Sequence, residues 1–125
     1  MSENELATVI IGHAIDIHRA LGPGLLEHVY QECLYYRLTK AGIMVRKEVP
    51  VPVFFEEIKM ECGYRADLMV ANKVIIEVKS VPSLADIHLA QTLTYLKFTG
   101  CRLGLLINFN SLLLKEGIRR VAHNL

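Results

Sequence analysis

Between residues 5 and 21 the apolar positions Leu6, Ile10, Ala14, Ile17 and Leu21 recur at three- and four-residue steps, the period of one helix face. The run Gly22-Pro23-Gly24 breaks that pattern. A second helix is expected over residues 25–41, with Leu26, Val29, Tyr30, Cys33, Leu34 and Leu38 turned inward, and with Lys40 and Gly42 closing it as a basic last turn and a C-cap glycine. From residue 43 to 55 the chain becomes rich in Val and Phe, which suits extended structure. Pro50 and Pro52 cannot donate to a ladder, so this stretch is expected to form an edge strand or two short ones. Strands over 59–70 and 74–80 follow. Residues 84–99 read as a helix with Ser83 as N-cap and Gly100 as its stop, and the run CRLGLLINF reads as a short buried strand. Residues 112–125 fit either a helix interrupted by Gly117 or a last strand.

The resulting order, α-α-β-β-β-α-β and a tail, has strands in a row and then a helix between two strands. The first feature predicts an antiparallel hairpin unit and the second a right-handed parallel crossover, so a mixed sheet flanked by helices is expected.

Composition narrows the class more than it changes the picture. The 125 residues suffice for one domain with a real core, and residues 1–125 are read as a single domain. The 14 basic and 13 acidic residues nearly cancel, so net charge gives no pull toward nucleic acid or membrane. Any anion-binding surface must come from local clustering. Cys33, Cys62 and Cys101 are odd in number and widely spaced, which fits neither a disulfide framework nor a zinc site and suits a reducing compartment. The acidic N-terminus lacks the basic region of a signal peptide, and no apolar run reaches the ~18–20 residues that cross a bilayer. A cytoplasmic protein with no membrane partner is expected.

The stretch GYRADLMVANKVIIEVKS, residues 63–80, carries the chemistry. Glu77 and Lys79 are two apart and share one strand face. In an antiparallel pair, placing Asp67 opposite Glu77 puts Val70 opposite Val74. That leaves Ala71-Asn72-Lys73 as a three-residue loop in which Asn72 tolerates a left-handed conformation. A two-residue loop would put the two acids on opposite faces. In the three-residue register two carboxylates lie side by side, which is unfavourable on a sheet unless a cation sits between them. Such a pair suits a hard ion, Mg²⁺ or Mn²⁺, that polarises a phosphoryl oxygen and generates hydroxide from water. Lys79 is then placed for electrostatic stabilisation. The competing account makes Glu77 and Lys79 a solvated strand face with Asp67 near a turn; three charges between the apolar runs LMV and VII weigh against it.

An acid, a hairpin and then Glu-Val-Lys resemble the PD-(D/E)XK nuclease superfamily. Gly24, Glu27 and Tyr30 in GLLEHVY are similar to the signature of the GxxExxY protein family within it. Gln91 and Tyr95 in QTLTY resemble the QxxxY motif of the RecB and lambda-exonuclease branch. The resemblance spans residues 6–121. It implies a restriction-endonuclease-like α/β (α+β) core of α-β-β-β-α-β topology. It implies a metal held by Asp67, Glu77, the Val78 backbone carbonyl and Glu27, with Lys79, Gln91 and Tyr95 as catalytic residues. Gln91 and Tyr95, four apart, share a helix face.

Each residue also has a plainer account. Glu27 could be a first-turn acid favoured by the helix dipole, Tyr95 core and Gln91 solvated. Arg65, on the Asp67 face, and His88, near the Gln91 face, are secondary candidates for touching nucleic acid. The remaining histidines show no ligand spacing, and clusters such as Arg46-Lys47 and Arg119-Arg120 could border a nucleic-acid groove or be solvated surface. The function that follows is Mg²⁺-dependent phosphodiester hydrolysis in DNA, with room for self-association. The alternatives are a catalytically unused module that binds nucleic acid or a protein, and hydrolysis of a smaller phosphodiester.

Overall fold

The computed structural model describes all 125 residues. Its helices are α1 (Glu3–Leu21), α2 (Glu27–Lys40) and α3 (Asp86–Thr99). Its strands are β1 (Val45–Pro50), β2 (Val53–Phe55), β3 (Ile58–Met60), β4 (Arg65–Val70), β5 (Val74–Lys79), β6 (Leu103–Asn108) and β7 (Ile118–Ala122), with a 3-10 turn at Leu114–Gly117. Five strands form one sheet in the order β1-β4-β5-β6-β7, and β2 and β3 form a separate hairpin. The β5–β6 pair is parallel and the other neighbours are antiparallel, so the mixed sheet with a helical crossover through α3 is as the element order requires.

Two apolar layers hold the sheet. On one face Leu6, Ile10, Ala14 and Ile17 of α1 and Tyr30, Leu34 and Leu38 of α2 pack on Leu68, Val70, Val74, Ile76 and Val78. On the other, Tyr95 and Leu96 of α3 pack with Ala66, Met69, Ile75 and Val51. All six residues of β6 are buried, as befits a strand covered on both sides.

Several boundaries differ from the sequence reading, each for a local reason. Helix α1 begins two residues early because Ser2 caps it: the Ser2 hydroxyl accepts the Glu5 N–H and the Glu5 carboxylate accepts the Ser2 N–H. The S-x-x-E spacing that signals such a box was present in the sequence. Leu21 is exposed at the helix end, and Leu26 (78 % exposed) and Val29 are not inner-face residues, because α2 starts only at Glu27 and its buried stripe runs Tyr30, Gln31, Leu34, Leu38. The expected strand over 59–70 is two strands, broken at Gly63, whose φ of +82° leaves the extended region. Ser83 is not the N-cap of α3. The chain bends through residues 81–83 and enters the helix from an extended Ala85, whose N–H is accepted by Nδ1 of His88. The tail resolves into the 3-10 turn and a strand that closes the sheet edge on β6.

Candidate active site

The β4–β5 hairpin has the three-residue loop. Val70 pairs with Val74, Met69 with Ile75 and Leu68 with Ile76. Ala71 (φ +52°) and Asn72 (φ +54°) are both left-handed, and Arg46 Nη2 donates to Asn72 Oδ1 at 2.8 Å. The regular ladder stops one pair short of Asp67 and Glu77. There the side chains replace it: the Asp67 N–H donates to Glu77 Oε2 (3.3 Å), and the Val78 N–H donates to Asp67 Oδ2 (2.8 Å). The opposite neighbour also yields at this point. Between the pairs Lys47–Leu68 and Val49–Ala66 lies Glu48, with a φ of +53°. Packing changes face across the same position: Leu68 belongs to the larger core and Ala66 to the smaller. Asp67 thus stands where the sheet opens, a device common beside active sites. The left-handed Glu48 was not foreseen; no sequence pattern marks a non-glycine residue for that conformation.

Glu77 is 5 % exposed. Burial first, and then the neighbouring Asp67 carboxylate, push its pKa up to about 9; Lys79 pulls weakly the other way. The proton held at neutral pH does what a cation would do between two carboxylates. Lys79, half-buried at the end of β5, forms no ion pair of its own.

Helix α3 lays Gln91 and Tyr95 over this face. Gln91 Nε2 donates to the Tyr95 hydroxyl at 3.0 Å. Burial, followed by the Glu77 and Asp67 charges, pushes the Tyr95 phenol up to about 12, so it remains a neutral hydroxyl at physiological pH. The helix seats closely because β6 carries Gly104: a Cβ there would lie 2.6 Å from Thr92 Cγ2.

The loop before α2 is fastened to the same end of the sheet. Gly24 takes a φ of +98°. The Tyr30 hydroxyl donates to the Gly22 carbonyl (2.6 Å) and accepts the Leu25 N–H (3.1 Å), while its ring stacks on Phe109 at 4.4 Å. Glu27 Oε2 accepts the Ser80 N–H at 3.1 Å, and the Ser80 hydroxyl donates to the Leu25 carbonyl at 2.8 Å. Glu27 therefore meets the strand end one residue beyond Lys79, not the two carboxylates. No group of three or more His, Cys, Asp or Glu side chains is assembled for a metal. Arg65 is exposed at the start of β4 without an ion pair, and His88 is engaged in capping α3.

Asp67, Glu77, Lys79, Gln91 and Tyr95 are thus drawn together. Glu27 is adjacent through Ser80, Arg65 is exposed two residues before Asp67 with no ion pair, and His88 is taken up in capping α3. Two carboxylates and a lysine at the open end of a hairpin, in a mixed sheet of this order, define a restriction-endonuclease-like nuclease fold. The chain belongs to the PD-(D/E)XK nuclease superfamily, whose family model matches residues 4–121. Members of that superfamily are typically nucleases that use divalent metals. Neither the curated proteins nor the solved structures compared with the chain give a match.

Proposed function

We propose that residues 1–125 act as one nuclease domain that hydrolyses phosphodiester bonds in DNA with the help of Mg²⁺ or Mn²⁺, as a member of the GxxExxY branch of the superfamily. The observation that carries this reading is the juxtaposition of the Asp67 and Glu77 carboxylates. The Asp67 N–H donates to Glu77 Oε2, and Glu77 is 5 % exposed. Like charges so placed cost stability unless a cation offsets them. An all-oxygen donor set fits a hard divalent ion, which keeps several waters and takes few protein ligands. Asp67, Glu77 and the Val78 carbonyl would hold it, and Glu27 would act on its water shell from beside Ser80. Such an ion supplies Lewis-acid polarisation of the phosphoryl oxygen and a water of lowered pKa.

The chain's own residues do the rest. Lys79 places positive charge beside the phosphoryl oxygens as charge builds on them. Tyr95, a neutral hydroxyl held by Gln91, donates a hydrogen bond to phosphate or water. The Glu27–Ser80 and Tyr30–Gly22 bonds fix the end of β5 and so the reach of Lys79. Support for the GxxExxY branch comes from Gly24, Glu27 and Tyr30, each of which has a distinct bond or conformation in one loop. A cytoplasmic setting accords with three free cysteines, and no helix is long and apolar enough to cross a membrane.

A second reading, a module that binds nucleic acid or a protein without cleaving, draws on one observation: Glu27 is committed to a backbone N–H and only two carboxylates converge. Mn²⁺ calorimetry on the wild type and Glu77→Ala, paired with cleavage of single- and double-stranded DNA, separates the two. Metal binding and cleavage that both vanish with Glu77 support hydrolysis. DNA binding that needs no metal and survives the substitution, with no cleavage by either protein, supports the module.

A further inference from the structure

Beside the carboxylate face, between the β2–β3 hairpin and α3, runs a groove of about 480 Å³ lined by Val53, Tyr64, Ile87, Ala90, Gln91 and Thr94. No charged side chain is among them. Two features tie it to the site. Gln91 is shared: it forms part of the groove wall and donates to the Tyr95 hydroxyl, which feels the charges of Glu77 and Asp67. Tyr64 is shared as well, since its ring meets Tyr95 edge-on at 6.3 Å while 47 % of the residue stays exposed. The Tyr64 backbone is pinned, its carbonyl accepting the Val51 N–H at 2.8 Å, so the ring rises from a fixed point. Ile87 in the groove wall is exposed, as is Phe54, which follows Val53 on β2.

Charge divides the surface. Arg65, one residue past Tyr64, is exposed at the start of β4, and Lys79 stands on the carboxylate face. Beside them the groove is neutral, apolar and aromatic. A nucleotide chain has the complementary division: anionic phosphates along one side, flat neutral bases on the other. Bases of a rigid duplex are stacked on one another and cannot enter a groove of this kind. An unpaired base can, and stacking on an aromatic ring is worth about 1–3 kcal/mol per base without sequence preference.

We propose that this groove is a nucleobase subsite that seats an unpaired base next to the phosphate being cleaved, with Tyr64 as the stacking platform. The substrate class is then single-stranded or locally unpaired nucleic acid rather than intact duplex. This rests on the phosphodiesterase reading of the Asp67–Glu77 face and adds to it which form of nucleic acid the site accepts.

The test uses a short labelled oligo-deoxythymidylate, the same chain with abasic residues, and a blunt duplex. Binding is measured by anisotropy in Ca²⁺ and cleavage in Mn²⁺. Wild type should bind and cleave the single strand in preference to the duplex. Tyr64→Ala, and Thr94→Phe, which fills the groove from a half-buried position, should each weaken single-strand binding roughly 5- to 100-fold. Their Mn²⁺ affinity by calorimetry should equal that of wild type, which also shows that both fold. The abasic chain should lose as much on wild type as the thymidylate loses on Tyr64→Ala, with no further loss on that variant. Equal wild-type binding of abasic and base-bearing chains, or tighter binding of the duplex, would overturn the base subsite while leaving metal-dependent cleavage standing. Absence of both Mn²⁺ binding and nucleic-acid binding in wild type would overturn the underlying reading and the subsite with it.

Discussion

Glu77→Gln should remove most of a pH-dependent instability that the metal-free wild type carries. The folded protein holds the Glu77 carboxyl near a pKa of about 9, against 4.5 in an unconstrained chain. Between these values the folded state keeps a proton that the unfolded state has released. Stability is therefore greatest below the unfolded value and is lost as pH rises through the folded one. The slope is at most ~1.4 kcal/mol per pH unit. From about pH 5 to about pH 8 the loss is thus roughly 4 kcal/mol at its upper limit, a large part of the 5–15 kcal/mol typical of a small protein. Asp67 faces Glu77 directly, with Lys79 and Tyr95 nearby, so the titration belongs to the carboxylate pair more than to one residue. A glutamine amide offers an oxygen to the Asp67 N–H and an N–H to the Asp67 carboxylate, in place of the protonated acid. In EDTA, urea denaturation across this pH range should show a falling stability for wild type and a much flatter profile for the variant, with the variant more stable near pH 8. Mn²⁺ should restore wild type near pH 8 and leave the variant unchanged. Parallel pH profiles for the two proteins would refute the argument, since histidine titrations are common to both and cancel in the comparison.

Three further outcomes follow from the site's supports. Lys79→Met should abolish cleavage of DNA with Mn²⁺ affinity retained in calorimetry; cleavage at the wild-type rate would remove Lys79 from the mechanism. Tyr30→Phe loses the bonds to Gly22 and Leu25 and should cost about 1–3 kcal/mol in urea denaturation, with a lower cleavage rate through the displaced Glu27–Ser80 contact. Gly104→Ala drives a methyl into Thr92 and should cost roughly 1–3 kcal/mol, recovered in large part by Thr92→Ser, which removes the opposing Cγ2; additive effects of the two changes in thermal melts would contradict a direct clash.

Much of the architecture was legible because it is written in short-range terms. The three-residue loop followed from counting alone, and Val70 does pair with Val74. The parallel β5–β6 pair followed from a helix between two strands. Element ends were read less well. Ser83 has a cap's chemistry, yet it lies in a bend and the helix begins only after Ala85, with His88 supplying the capping nitrogen from within the helix. Leu26 and Val29 fit an apolar helical stripe by type, but their placement outside the core depends on where the Gly22–Gly24 turn delivers the first helical residue.

The chain's own order of residues determined the strand and helix succession, the three-residue hairpin register, and hence the placing of Asp67 beside Glu77, because alternation along a strand and the length of a tight loop together fix which residues share a face. Tertiary structure alone decided three other things. It set Glu27 against Ser80, since a helix N-terminus and a strand end far apart in sequence meet only through packing. It ended the β4–β5 ladder just before Asp67 and set the left-handed Glu48 opposite Asp67 on the other neighbouring strand. And it stood Tyr64 and the β2–β3 hairpin beside α3 to make the groove. Local periodicity reports which way a side chain points from its own backbone; what it then meets is fixed by contacts between segments, which no spacing along the chain encodes.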